Sequence, residues 1–136
     1  MAGVVDAFLI AGAGVKAQSD RLRVIAENVA NADSTGQTPG ALPYQRKTVT
    51  FQNVLDRELG IEKVQVVNYG VDTSPFKRKY EPGHPAADGQ GYVLYPNVDT
   101  PIEMVDMQEA QRAYEANVNV IDVSRSMIAQ AISLLK

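Results

Sequence analysis

The chain has 136 residues, 45% of them hydrophobic and 21% charged, with 13 basic and 16 acidic side chains and a net charge of −3. That length holds one domain, or a small domain flanked by long helices, and the composition is that of a folded chain rather than a disordered one. The acidic excess argues against nucleic acid as the main partner, zero cysteines exclude disulfides, thiolate metal sites and thiol catalysis, and one histidine, His84, leaves no His-rich metal site.

At the N-terminus the apolar run Ala7–Val15 is too short to cross a bilayer. Asp6 interrupts it and no basic segment precedes it, so the sequence predicts neither a cleaved secretion signal nor direct membrane insertion. Met1, Val4, Phe8, Ala11, Val15, Leu22, Ile25 and Val29 follow 3/4 spacing, with Gln18 the one polar member of the seam. The spacing predicts a helix from about Ala2 to Ala30, roughly 45 Å long at 1.5 Å per residue. Gly12 and Gly14 each weaken it by about 1 kcal/mol, which suits close packing or a bend. Asp33-Ser34-Thr35-Gly36 ends it.

The middle of the chain reads as strands and turns. All seven prolines fall between Pro39 and Pro101. Tyr44–Phe51, Val64–Val71 and Tyr92–Tyr95 carry aromatic and β-branched content, and Phe76–Tyr80 is a weaker strand. Pro82-Gly83-His84-Pro85 and Asp88-Gly89-Gln90-Gly91 are turn chemistry. Within that turn His84 reads as structural, because nothing nearby supplies a nucleophile or an orienting partner. Lys77-Arg78-Lys79 is the one basic run and reads as a solvated strand face. Gly12-Ala13-Gly14 follows no strand, so it is not a dinucleotide loop.

A second long helix is predicted from Pro101 to about Leu134. Thr100 is its N-cap candidate, with Pro101 at the first helical position and Glu103 completing a capping box. On a helical wheel the apolar residues of positions 118–135 span an arc of roughly 220°, about twice what one neighbouring helix covers. The remaining edge is polar: Arg112, Glu115, Asn119, Asp122, Ser126, Gln130 and Ser133. With little other apolar mass in the chain, burial between several copies accounts best for that arc. The expected fold is α+β: residues 1–32 and 99–136 pair as an antiparallel coiled coil, and residues 33–98 form a small β-rich insert.

Asn28-Val29-Ala30-Asn31-Ala32-Asp33-Ser34-Thr35 resembles the N-terminal signature of the flagellar rod and hook proteins. Asn and Asp satisfy helix-end backbone groups locally, which suits a helix exit. Tyr80 to Asp88, Gly91-Tyr92-Val93, Pro96 to Asp99, Glu103 to Met107 and Tyr114 to Val118 narrow the resemblance to proximal rod subunits of the FlgC type, nearly end to end.

The resemblance implies a structural subunit of the bacterial flagellar basal body, exported by the flagellar type III apparatus and stacked helically into a hollow, torque-bearing rod across the periplasm. It implies no enzyme activity, cofactor or metal. The implied partners are copies of itself, other rod proteins, the rod-to-ring adaptor and the export apparatus. On this reading Phe8, Val15, Leu22, Ile25, Ile121, Ile128 and Leu135 belong to the assembly interface, and Asn119, Asp122, Ser126, Gln130 and Ser133 line the channel. Phe51 and Leu55, four residues apart, are either an export signal or core residues. A different class, a coiled-coil adaptor or needle-like component of another secretion assembly, is the alternative. A wall hydrolase is more distant.

Overall fold

A computed structural model describes residues 2–135, the side chain of Ala2 excepted. Met1, the first member of the expected seam, lies outside the described residues. The elements are α1 (Ala2–Ala30), β1 (Lys47–Asp56), β2 (Ile61–Val71), β3 (Lys77–Tyr80), β4 (Tyr92–Tyr95) and α2 (Thr100–Leu134). The fold is α+β, with two terminal helices and two small two-stranded sheets, β1–β2 and β3–β4.

The strands differ from the sequence reading at the start of β2, which is Ile61 rather than Val64, and at both ends of β1. Tyr44–Arg46 is not part of it, because these residues are engaged elsewhere. The Tyr44 N–H donates to Ser34 O at 2.9 Å, and the Arg46 N–H donates to Asn97 Oδ1 at 2.8 Å. At its far end β1 runs on to Asp56, where a tight turn reverses the chain. Asp56 Oδ1 accepts the N–H groups of Glu58 (3.1 Å) and Leu59 (3.2 Å), and Gly60 takes a φ of 68°. Lys63 Nζ lies 3.1 Å from Asp56 Oδ2. The bond from Lys63, helped by the Leu59 N–H, holds the Asp56 carboxyl below its usual range. In the second sheet Lys77 to Tyr80 pair antiparallel with Tyr95 to Tyr92. Gly91 makes that turn feasible: its φ is 87°, and a Cβ there would lie 2.8 Å from the Tyr80 ring.

Helix α2 starts one residue before expectation. Its cap is Asp99, whose Oδ1 accepts the Ile102 N–H at 3.4 Å, so the Thr100 capping box does not form. Glu103 turns its carboxylate to Arg46 instead.

The chain forms two compact units. One gathers the residues up to Leu22, Val49–Asn68 and the residues from Gln108 on. Within it Arg21 Nη2 lies 3.6 Å from Glu109 Oε2, and Gly14 packs against the Asn117 side chain. The most buried positions of α1 here are small: Ala11, Gly14 and Ala17. Phe8, Val15 and Leu22 flank them half-buried. The other unit, Arg23–Thr48 with Tyr69–Met107, has its core at Val24, Ile25, Ala86, Val93, Pro96 and Val98.

The two glycines of the α1 seam therefore differ. A Cβ at Gly14 would fall 2.5 Å from Asn117 Nδ2, and Asn117 is already tied to Ala113 O at 3.0 Å. A Cβ at Gly12 would meet nothing within 4 Å. Gly14→Ala is expected to destabilise by about 1–3 kcal/mol through overpacking. Gly12→Ala should stabilise by about 0.5–1 kcal/mol through helix propensity. Thermal melts of both variants check this, and equal shifts of one sign would mean that Gly14 has no packing role.

Candidate functional site: the helix exit and the assembly faces

The end of α1 is fixed by two asparagines acting in different directions. Asn28 is 1% exposed. Its Oδ1 accepts the Tyr44 hydroxyl at 2.7 Å and the Lys47 N–H at 2.9 Å, while its Nδ2 donates to Lys47 O at 2.9 Å. It clamps the returning chain onto the helix, and burial raises the Tyr44 hydroxyl pKa. Asn31 acts locally, as its residue type suggests: Nδ2 donates to Glu27 O at 2.9 Å, and Oδ1 accepts the Ser34 hydroxyl at 3.0 Å. The 34–43 loop closes on itself through Ala41 N to Thr38 O (3.0 Å). His84 braces it. Its Nε2 lies 3.3 Å from Thr35 Oγ1, and its Nδ1 accepts the Ala86 N–H at 3.0 Å, which is the structural role expected of it.

Beside this exit lies a charge network that the periodic patterns did not reveal. Glu103 is 1% exposed, and one of its oxygens takes the Arg46 Nε–H. Its other oxygen, Oε2, has no hydrogen-bond partner among the described residues. Arg46 Nη1 also reaches Asp72 Oδ2 at 3.3 Å. Burial pulls the Arg46 pKa down, but the bonds and charges of Glu103 and Asp72 outweigh it and leave it raised. Bonds from Ser74, with Arg46 adding to them, hold Asp72 below the usual carboxylate range. Asn97 completes the cluster by donating to Asp72 O at 3.0 Å.

The expected assembly residues fall in distinct places. Asn119, Asp122, Ser126, Gln130 and Ser133 are all exposed on α2. Ile121 and Ile128 are half-buried, and Leu135 is 86% exposed. Ile25 is already buried within its own chain. Val120, Val123 and Met127, three and four residues apart, are exposed and line an apolar groove of about 430 Å³ with Gly3, Val4 and Ala7. Phe51 and Leu55 share one face of β1, the first half-buried and the second 54% exposed.

Residues 8–37, which hold most of α1 and its exit, match the family model described as "Flagella basal body rod protein". Residues 90–134, from the β3–β4 turn through α2, match "Flagellar basal body rod FlgEFG protein C-terminal". A "Flagellar basal-body rod protein FlgC" from Agrobacterium fabrum is 55% identical over 127 residues, 93% of this chain and 91% of the relative. The chain belongs to the FlgC family of flagellar basal-body rod proteins. FlgC of Escherichia coli O6:H1 is 43% identical over 96% of this chain and 97% of its own length. That of Borreliella burgdorferi is 39% identical over 98% and 99%. The rod protein is thus a structural subunit and not an enzyme, and its family's place is the flagellar basal-body rod. The matched span 8–37 includes Asn28–Ala32, where Asn28 and Asn31 fix the helix exit.

Proposed function

We propose that this chain is a proximal rod subunit, exported through the flagellar type III apparatus, that packs helically around a hollow channel and carries torque. Its partners are copies of itself, other rod proteins and the rod-to-ring adaptor. The observation that carries this reading is the uncovered apolar surface of α2. Val123 is 59% exposed, Met127 50%, Ile132 52% and Leu134 86%, as is Leu135 just past the helix end. Patches of this kind mark interaction sites. The terminal segments 1–32 and 99–136 form the antiparallel coiled-coil core of the assembled subunit, and residues 33–98 are its β-rich middle domain. The Arg21–Glu109 and Gly14–Asn117 contacts support that pairing. Asn119, Asp122, Ser126, Gln130 and Ser133 then line the channel, while the apolar rows of α2 meet neighbours.

A chain without cysteine gives a clean labelling background. In isolated basal bodies, Val123→Cys should be protected from maleimide, although it reacts in the free chain. Ser126→Cys should react with a small maleimide and resist a bulky polymer-linked one. Protection of Ser126→Cys and free reaction of Val123→Cys would reverse the assignment of faces. Recovery of the chain in secretion needles but not in basal bodies would favour the needle-component reading. Phe51 and Leu55 are proposed as the export signal. Replacing both with Ala should sharply cut secretion, with a smaller effect on melting temperature because Leu55 is already solvated. Normal secretion with a lowered melting temperature would make them core residues only.

A further inference from the structure

Lys77, Arg78 and Lys79 fill three of the four positions of β3, and every residue of the strand is exposed. β4 covers one edge of β3, and no strand among the described residues covers the other. The ion pairs of the described residues involve Arg21, Arg23, Arg46, Lys47 and Lys63, and none of the three β3 cations. Each of the three, though exposed, has a contact within its own unit. The Arg78 guanidinium lies 4.5 Å from the centre of the Tyr92 ring, Lys79 Nζ lies 4.4 Å from that of Tyr95, and Lys77 Nζ donates to Val98 O at 2.8 Å. The nearby Glu81 carboxylate accepts the Tyr95 hydroxyl at 2.8 Å, and the N–H bonds of Tyr92 and Gln90, with the Arg78 charge adding to them, hold the Asp88 carboxyl below its usual range. Tyr80 ends the strand 65% exposed, edge-on to Tyr92.

We propose that the free edge of β3 docks an extended acidic peptide segment of another protein. The segment adds antiparallel to β3, with carboxylates opposite Lys77, Arg78 and Lys79 and an apolar residue opposite Tyr80. Alternation along a strand puts Lys77 and Lys79 on one face and Arg78 and Tyr80 on the other. A polyphosphate would be served by cations on a single face, whereas a peptide strand places its own side chains alternately and meets both faces while its backbone pairs with the open edge. Lysines on an edge often serve to repel strand addition, as solvated chains. Here each cation already lies against a ring or a carbonyl, contacts that favour one arrangement of the side chain and lower the entropy cost of meeting a ligand.

The test uses the full chain and a fluorescent acetyl-Gly-Val-Glu-Asp-Glu-Gly-amide peptide, read by anisotropy. Binding is expected. It should weaken about tenfold when the peptide amides that face β3 are N-methylated, because strand pairing is lost. Lys77→Gln/Arg78→Gln/Lys79→Gln should weaken it about tenfold, and Lys79→Gln alone about threefold with an unchanged circular dichroism spectrum. A peptide with Lys in place of the acids should not bind. Equal binding of the N-methylated peptide, or tighter binding of inorganic polyphosphate with the same dependence on the three cations, would overturn the proposal in favour of a general anion patch. No binding at millimolar peptide would make β3 a guarded edge.

Discussion

Arg46→Ala is expected to destabilise the chain by about 3 kcal/mol at neutral pH, the lower end of the cost of breaking a buried ion pair from one side. The lower end applies because the Arg46 side chain keeps 25% of its exposure, while that of Glu103 keeps 1%. With Arg46 gone, the carboxylate loses its one donor, since its second oxygen has none among the described residues. The Arg46–Asp72 link goes with it. Replacing both partners by apolar residues of similar volume, Arg46→Met with Glu103→Leu, should recover most of the loss, because neither charge then has to be desolvated. Urea denaturation followed by circular dichroism measures all three chains. A loss below about 1 kcal/mol for Arg46→Ala would place the pair with ordinary surface bridges.

Ile128→Asp should abolish rod formation, whereas Ser126→Asp should leave rods intact and alter only the passage of cargo. Ile128 is half-buried in the single chain, and Ser126, two residues away, is exposed on a different side of α2. In an assembly that covers the apolar rows, a carboxylate at 128 would be buried without a partner, at a cost of several kcal/mol in every subunit. At 126 it would stay hydrated. Electron microscopy of basal bodies, paired with swimming assays, reads both outcomes. If Ser126→Asp removes the rods and Ile128→Asp is tolerated, α2 is turned the other way.

Much of the frame was legible in the sequence because it rests on local signals. The 3/4 spacing and the absence of proline gave α1 its limits, Ala2–Ala30. The start of α2 differs by one residue from the sequence expectation because Asp99 and Thr100 are both good caps, and nothing local says which one the helix uses. β1 begins later than its pattern suggests because the aromatic Tyr44 looks like a strand residue, while its hydroxyl serves Asn28. Least legible was the Arg46–Glu103–Asp72 cluster. Its members come from three distant segments and share no period, and Glu103 already satisfied a capping pattern. The polar stripe of α2 was readable as a stripe, but its duty depends on neighbours that one chain does not contain.

The two units differ in when they can form. Contacts of the first, such as Arg21 with Glu109 and Gly14 with Asn117, join residues near opposite ends of the chain. Those of the second close within residues 23–107, and its β3–β4 hairpin is local. A chain that emerges N-terminus first can therefore complete the Asn28 clamp and the Arg46–Glu103 pair while its last turns are still inside a ribosome or a narrow conduit. The start of α1 must wait, because closing so long a loop precedes any gain from helix contacts. Until the final residues appear, the start of α1 lacks its α2 contacts and has only Val49–Asn68 of its own unit to pack with, and a neighbour already in place would offer it a second surface.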